Sequence, residues 1–330
     1  MATRRKVIIA LGAGALAPPA LFAQQPTARI PRIGVLFLVS LSSAAGVAAV
    51  ELLRLRLREL GYVEGRTVAI EYRSAEGRGE RLAELAADLV KLKVDLIVTG
   101  GGNVSTLAAR KATATIPIIM SGSYDAVESG LVDSLGRPGG NVTGVTVPRE
   151  MGSKQVELLR ELVPSISRIA VLLRRNSIGA ARLADSKAKA EAFLQLAIDY
   201  VEVEELEELT AAIAKMRSAR PGAMIVGPDP LFFQKADQII EFVRAARIPA
   251  MYPYADFVDA GGLVSYSLNH MESSRVIARH IDKILKGAKP GDIPVEQPMA
   301  FEFVLNLKTA KALGIKVPQT ILLQATRVIE

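Results

Sequence analysis

Polar and aromatic residues gather in short segments that each follow a run of apolar residues, and these segments could do chemistry. In the first half they are Ser40-Leu-Ser42-Ser43, Thr99-Gly-Gly-Gly102-Asn103-Val-Ser105 and Ser121-Gly-Ser123-Tyr124-Asp125. Backbone N–H groups ahead of a helix can hold an anion, glycines let a ligand approach the backbone, and an acid can pair with an ammonium group. Helix caps and a tight turn are the alternatives. The ligand contacts predicted here are Ser40, Ser42, Gly102, Asn103, Ser105, Ser123, Tyr124 and Asp125.

The matching segments of the second half are richer in aromatic residues. They are Arg174-Arg-Asn176-Ser177, Gly227-Pro-Asp229-Pro230 and Tyr252-Pro-Tyr254-Ala-Asp256-Phe257. Aromatic rings at strand ends could sandwich an apolar ligand group, whereas Phe233 and Phe242 fit a helix core better. For Arg174 and Arg175, both ligand contact and a solvated surface position remain open. The ligand contacts predicted here are Asn176, Asp229, Tyr252, Tyr254 and Phe257.

The composition excludes several chemistries. The chain has no cysteine and only two histidines, His270 and His280, so a disulfide framework, a thiolate nucleophile and a Cys-based metal site are impossible. No Gly-x-Ser-x-Gly segment is present, and the glycines at 100–102 match neither a dinucleotide fingerprint nor a P-loop. We therefore predict no catalytic residue, no metal and no cofactor. No basic run is interleaved with aromatic residues, so we also predict no nucleic-acid partner.

The elements that must position these segments form an alternating pattern. Apolar runs at 33–39, 68–72, 95–98 and 116–120 predict strands, and the patterns at 48–60, 81–92 and 103–112 predict helices. Strands that are apolar throughout and separated by helices indicate a parallel sheet that is covered on both faces.

The same pattern restarts after a predicted helix at 152–162. Arg168-Ile-Ala-Val-Leu172 repeats Arg32-Ile-Gly-Val-Leu36, and Ala246-Arg-Ile-Pro249 mirrors Ala114-Thr-Ile-Pro117. Matches in the same order indicate an internal duplication and therefore two α/β lobes. Such lobes bind ligands beyond the carboxyl ends of their strands, which predicts a cleft between them.

The first residues are typical of a secretory signal peptide. Arg4-Arg5-Lys6 precede an apolar run at 7–17, and Ala23 is a plausible cleavage position. The general secretory and the twin-arginine routes both remain open. These three basic residues account for part of the formal net charge of +7, so the remaining surplus does not call for an anionic partner.

Longer segments carry a resemblance to a known family. Among them are Leu60-Gly-Tyr-Val-Glu-Gly65, Leu135-Gly-Arg-Pro-Gly-Gly-Asn-Val-Thr-Gly-Val145, Phe257-Val-Asp-Ala-Gly-Gly-Leu-Val-Ser-Tyr266 and Asn306-Leu-Lys-Thr-Ala-Lys-Ala-Leu-Gly314. Through them the chain resembles, from end to end, the tryptophan/tyrosine-type substrate-binding proteins of bacterial ABC transporters. The resemblance implies an α/β type I periplasmic-binding-protein (Venus-flytrap) fold with two Rossmann-like lobes, parallel sheets and three hinge crossovers.

The resemblance also implies an arrangement of the chain. Residues 1–23 would be the signal peptide, 30–145 plus 270–287 the first lobe, and 146–268 plus 293–330 the second. By position, family aspartates fall on Asp125 and Asp229 and a family tyrosine on Tyr252. Two departures flank the expected cleft: Tyr124 replaces a glycine, and Arg174-Arg175 replaces an Asn-Pro pair.

The function expected from the resemblance is that of an exported, periplasmic, non-enzymatic receptor. It would capture an amino acid, aromatic or apolar, or a related carboxylate by closing its lobes, and would then dock as a monomer on an ABC permease in the inner membrane. Two alternatives stay open. The chain could be a sensing module for a membrane signalling protein, or an enzyme on the same scaffold, for which the sequence offers no catalytic pair.

Overall fold

The computed structural model describes residues 29–148, 150–175, 195–204 and 208–330. Every helix and strand described below lies in one compact unit, Pro31–Glu330. The signal segment expected at 1–23 and the predicted contact Asn176 lie outside the described residues.

The first sheet is built from the apolar runs of the first half of the chain. Its strands pair in the order β2-β1-β3-β4-β5, and all pairs are parallel. Alternate residues along each strand point to opposite faces, so a strand such as β1 contributes buried side chains to two cores. The strands are β1 (Arg32–Phe37), β2 (Ala69–Ser74), β3 (Leu96–Gly100), β4 (Ile118–Tyr124) and β5 (Val142–Val147).

Helices cover both faces of this sheet. The face that carries Ile33 and Val35 packs against α1 (Ala44–Glu59) and α9 (His270–Leu285). The face that carries Leu36 packs against α2 (Leu82–Lys91), which follows a short 3₁₀ turn, and against α3 (Asn103–Ala112). Burial on both faces explains why the strands are apolar throughout.

The second sheet repeats the first and extends it. Its order is β7-β6-β8-β9-β10-β11-β12, and the first five strands follow the same order as β2-β1-β3-β4-β5, which confirms the internal repeat. Only the pair β10–β11 is antiparallel among the pairs described. The strands are β6 (Arg168–Arg174), β7 (Ala197–Val203), β8 (Ala223–Val226), β9 (Ala250–Tyr252), β10 (Val264–Leu268), β11 (Phe301–Asn306) and β12 (Arg327–Ile329).

Helices also lie on both sides of the second sheet. One core contains α4, α10 and α11, and the other contains α5, α6, α7 and α8. These helices are α4 (Met151–Leu162), α5 (Glu208–Ala219), α6 (Pro230–Gln234), α7 (Ala236–Ala246), α8 (Ala255–Asp259), α10 (Leu307–Leu313) and α11 (Gln319–Gln324).

The chain passes between the two sheets three times, as the resemblance implies. The passages lie between β5 and α4, at Asn269 between β10 and α9, and at 297–300 before β11. The last two are joined, because the Asn269 N–H donates to the Ala300 carbonyl oxygen at 2.9 Å. Residues 293–296 were expected in the second lobe, but they pair with β5 of the first sheet through Val145 and Glu296.

Element bounds differ from the sequence prediction mainly at the ends. The helix expected at 48–60 begins at Ala44, because the Ser43 hydroxyl accepts a hydrogen bond from the Gly46 N–H at 3.1 Å and caps it. The strand expected at 33–39 ends at Phe37. Helix α11 and strand β12 were not predicted.

Candidate functional site

A tyrosine lies at the carboxyl end of each sheet. Tyr124 is the last residue of β4, and Tyr254 follows β9 by two residues. The Tyr124 side chain lies near enough to Tyr254 to influence its pKa, so the two strand ends face each other across the predicted cleft. Burial raises the pKa of Tyr254 to about 12, and the negative charge of Asp229 acts in the same direction.

Local backbone features hold Tyr124 and Asp125 in place. Gly122 has a positive φ of 83°, and the pairing of β4 with β5 shifts register between Ser121 and Ser123. A bulge of this kind changes the direction in which the following side chains point. Asp125 itself has a φ of 44°, which is uncommon for a residue with a side chain and is frequent at functional positions.

The glycine segment opens α3 at the same edge of the sheet. Gly101 and Gly102 have φ values of 104° and 79°, so the turn requires glycine for its conformation. Gly102 precedes α3 without a side-chain cap, and the positive end of the helix dipole therefore lies at the strand ends. Such an end favours a carboxylate.

Several predicted contacts of the first lobe bind other parts of the protein. The Ser105 hydroxyl donates to the Gly100 carbonyl oxygen at 2.9 Å, and the Ser123 hydroxyl lies 3.1 Å from that of Thr106. Ser105 and Ser123 are fully buried. Asn103 bonds the backbone of Tyr124 with both ends of its amide. In this structure these three side chains support the loop from inside.

The hydroxyl loop after β1 is also organised internally. The Ser40 hydroxyl lies 2.9 Å from that of Ser42, and the Ser43 hydroxyl donates to the Ser40 carbonyl oxygen at 2.6 Å. Hydrogen bonds from the Ser40 and Ser74 hydroxyls lower the pKa of Glu76. The loop thus caps α1 and joins β2, while Ser42 remains exposed.

Two of the predicted aromatic contacts are core residues. Tyr252 and Phe257 are each 1% exposed, and their rings stack with centroids 5.4 Å apart. Burial raises the pKa of Tyr252. Both side chains belong to the core on the α5–α8 side of the second sheet.

The rings found at the cleft differ from the ones that the sequence predicted. Around Tyr254 lie Phe233, with ring centroids 5.8 Å apart, and His270, at 5.7 Å. All three side chains are only partly buried or exposed. The sequence placed Phe233 in a helix core, against which its ring packs, and gave His270 no role. The signal available for both was their position beside a strand end, Phe233 after β8 and His270 after β10.

His270 lies in a mixed environment. Solvent reaches its ring, yet the protein packed around it lowers the pKa of His270, and this effect outweighs the opposite pull of Glu302 and Asp256. The imidazole is therefore neutral near pH 7.

A charged pair borders the aromatic group on the second lobe. Arg174 Nη1 lies 3.9 Å from Asp229 Oδ1, and their side chains are 25% and 15% exposed. Arg175 instead pairs with Glu204 and Glu208 on the surface, at 3.0 and 3.4 Å. The sequence left open whether these two arginines contact the ligand or lie on the surface. In the structure Arg174 lies beside the strand ends, and Arg175 is a solvated surface residue.

The lobes also meet at Gln234. Gln234, at the end of α6, packs against Gly77 in the loop after β2, where a side chain on Gly77 would overlap the Gln234 amide. Within the described ranges, no three His, Asp or Glu side chains are grouped so that they could hold a metal ion. In the same ranges, no helix has the length and apolarity needed to cross a membrane.

Known proteins resemble this chain in sequence and in structure. A Clostridioides difficile protein described as a tyrosine-binding protein is 26% identical over 260 residues, which cover 79% of this chain and 74% of the relative. A Streptococcus pneumoniae ABC domain, crystallised in complex with L-Trp, is 29% identical with a TM-score of 0.82, covering 91% of this chain and 99% of that one.

A conserved domain protein from Vibrio cholerae has the same fold, with a TM-score of 0.83 at 24% identity over 91% of this chain and 100% of that one. These structures share the type I periplasmic-binding-protein fold. The family described as ABC transporter substrate binding protein matches residues 32–329, nearly the whole length of the chain. The chain therefore belongs to the family of ABC transporter substrate-binding proteins.

Proposed function

We propose that the chain is an exported receptor of an ABC importer that binds an aromatic amino acid, or a related aromatic carboxylate, between its two lobes. The observation that carries this proposal is the group of rings around Tyr254 at the strand ends. The family is one of substrate-binding proteins rather than of enzymes, and it binds small molecules and works with ABC transporters.

The polar groups at the strand ends match the backbone groups of an amino acid. The N-terminus of α3 at Gly102 presents N–H groups that favour a carboxylate. Asp125, on the neighbouring strand end, can pair with an ammonium group. Phe233 and Tyr254 on the second lobe, and His270 at the start of α9 beside the passage at Asn269, offer rings for the ligand's aromatic side chain.

Closure follows from the division of these groups between the lobes. A ligand held by Asp125 and α3 gains its contacts with Phe233 and Tyr254 only when the second lobe reaches it. Its affinity is therefore higher for the closed form, and this difference shifts the lobes toward closure. The three passages between the sheets are the segments that must bend.

The proposal also includes the export of the protein and its partner in the membrane. The signal segment at 1–23 would direct export, with cleavage near Ala23, and the closed monomer would dock on a permease in the inner membrane. A known Tyr-binding relative and a Trp-bound structure of the family support an aromatic ligand.

The test is a thermal-shift screen of residues 24–330. The ligands are L-Trp, L-Tyr and L-Phe, with benzoate as an aromatic acid without an amino group and L-Leu and L-Glu as amino acids without a ring. At a hundredfold excess over Kd, binding should stabilise the protein by about 2.7 kcal/mol. A shift with the three aromatic amino acids supports the proposal. If none of the four aromatic compounds raises the melting temperature, the proposal is wrong.

A further inference from the structure

Gln234 and Gly77 form a direct contact between the two lobes at the carboxyl ends of the strands. Gly77 lies in the loop after β2, and a Cβ built on it would overlap the amide nitrogen of Gln234, at the end of α6. The same Cβ would lie 2.8 Å from the side-chain carbon Cδ of Gln234. The absence of a side chain at Gly77 therefore leaves the room that the Gln234 amide occupies.

The first-lobe side of this contact is held in place by the loop around it. Gly77 has a positive φ of 78°, and its N–H donates to the Leu38 carbonyl oxygen at 2.7 Å. The Ser74 hydroxyl donates to the Val39 carbonyl oxygen at 2.9 Å and accepts from the Glu76 N–H at 3.1 Å. These bonds tie the loop to the segment after β1, so Gly77 presents a fixed surface to the second lobe.

The second-lobe side leads directly to the rings proposed to contact the ligand. Phe233 precedes Gln234 in the short helix α6, and its ring lies 5.8 Å from that of Tyr254 and 5.5 Å from that of Phe257. The Phe233 N–H also donates to the Asp229 carbonyl oxygen at 3.2 Å. These contacts hold α6 to the second lobe, so the place where Gln234 rests on the first lobe determines how far Phe233 lies from it.

We propose that Gln234 is a positioning residue for ligand binding: by packing on Gly77 it sets the separation of the closed lobes at which Phe233 meets the ligand. The contact forms only when the lobes are close together, so it stabilises the closed form and leaves the open form unchanged. This proposal rests on the proposed function, since the ligand is the one that binds in the same cleft.

A double-mutant cycle tests whether the two residues act through one contact. Gln234→Ala removes the amide, and the affinity for L-Trp should fall about two- to tenfold, as for one exposed polar contact. Gly77→Ala displaces the amide and should weaken binding by a similar factor, but it should have no further effect in the Gln234→Ala background. Calorimetry measures the affinities. The melting temperature of Gln234→Ala should stay close to that of the wild type, because the side chain is exposed.

Two control variants match these substitutions. Gln238→Ala removes an exposed amide of the same type on the neighbouring helix α7. Gly65→Ala repeats the backbone strain without the contact, since Gly65 has a φ of 77° and no atom lies within 4 Å of a Cβ built on it. Gly65→Ala should lower the melting temperature about as much as Gly77→Ala, and neither control should change the affinity.

Three results would overturn the proposal. The first is an unchanged affinity in Gln234→Ala, and the second is an equal effect of Gly77→Ala with and without Gln234. The third is a loss of affinity in Gly65→Ala as large as that in Gly77→Ala, because strain alone would then explain the effect. If Gly77→Ala does not fold, Gln234→Ala and Gln238→Ala still provide the comparison.

The separation of the lobes can also be measured without a ligand. The chain has no cysteine, so Glu80→Cys and Asp237→Cys, at exposed positions three residues from either side of the contact, can carry spin labels specifically. Pulsed electron paramagnetic resonance should show longer distances between the labels when Gln234→Ala is added. Equal distance distributions would overturn the proposal. If the wild type binds none of the aromatic compounds, the proposed function is wrong, and this measurement still decides whether the contact holds the lobes together.

Discussion

The side-chain amide of Asn103 bonds both backbone polar groups of Tyr124. Its Oδ1 accepts from the Tyr124 N–H at 2.6 Å, and its Nδ2 donates to the Tyr124 carbonyl oxygen at 2.7 Å. The first residue of α3 therefore fixes the backbone of the last residue of β4, just before Asp125.

Removing this amide should loosen the strand end. Asn103→Ala leaves two partly buried backbone groups without their partner, and we expect a loss of about 1–3 kcal/mol in the free energy of unfolding. Asn103→Asp keeps an acceptor for the Tyr124 N–H and should lose less. Urea unfolding measures both values, and an Asn103→Ala variant as stable as the wild type would contradict this role.

Asp125 should matter only for ligands that carry an amino group. We expect Asp125→Asn to weaken binding of an aromatic amino acid more than tenfold, since the charge that pairs with the ammonium group is lost. Binding of benzoate, which has no amino group, should be unaffected or improved. Calorimetry measures the affinities.

Asp133→Asn is the matched control for that substitution, because Asp133 is exposed and precedes β5 at the opposite edge of the sheet. Equal affinities of Asp125→Asn and the wild type, with the fold intact, would remove Asp125 from the site.

Arg56 is a buried cation that joins two helices. Its side chain is 5% exposed; it contacts Glu59 at 2.7 Å on α1 and the Ser274 hydroxyl at 3.3 Å on α9. Arg56→Ala removes the packing of its stem together with these bonds, and we expect a loss of about 2–3 kcal/mol. Arg58→Ala, on the exposed face of the same helix, should stay within about 0.5 kcal/mol of the wild type in urea unfolding. Similar losses in the two variants would contradict the assignment.

Gly144 should not tolerate a side chain. It has a φ of 129° on β5, and an added Cβ would overlap the Met120 carbonyl oxygen and lie 2.6 Å from the Met120 nitrogen. We expect Gly144→Ala to cost more than about 3 kcal/mol through strain and overlap in the sheet. Gly140→Ala, where no neighbour lies within 4 Å, should be nearly neutral. Melting temperatures of the two variants provide the comparison.

His270 should make stability depend on pH in the mildly acidic range. Because its pKa is lowered in the folded protein, the unfolded chain binds a proton first as the pH falls through about 6.5. Stability should therefore decrease as the pH falls below this value. One proton contributes at most about 1.4 kcal/mol per pH unit, and solvent access to the ring makes the slope smaller.

Urea unfolding at pH 7.5 and 5.5 tests this expectation. The His270→Gln variant should lose less stability than the wild type between the two values. An identical loss in both proteins would show that the ring does not titrate differently on folding.

The fold was accessible from the sequence because it depends on regular patterns. Apolar runs such as the one that begins at Ile33 become buried strands, and the repeated Ile-Gly-Val-Leu and Ile-Ala-Val-Leu segments lie on corresponding strands of the two sheets. The additional pair α11 and β12 was missed, since its segments are short and its strand is largely exposed at the edge of the sheet.

The site was harder to predict from the sequence than the fold, because residues only two positions apart at one strand end can lie in the core or at the cleft. Tyr252 is the last residue of β9 and points into the core, whereas Tyr254, beyond Pro253, lies in the ring group at the cleft. In the sequence both tyrosines belong to one aromatic segment, so composition does not distinguish them. Phe233 and His270 come from distant segments, and only the assembled sheets bring them to the same ring group.

Because the chain passes between the sheets three times, the first sheet can be completed only late in synthesis. The first sheet needs Val276, Ile277 and Ile281 of α9 to cover one face, and it needs Glu296 to extend its edge at β5. These residues are made after strand β10 of the second sheet. The half of the protein that is translated first is thus completed late, and its folding waits for contacts between residues far apart along the chain, which are slow to form.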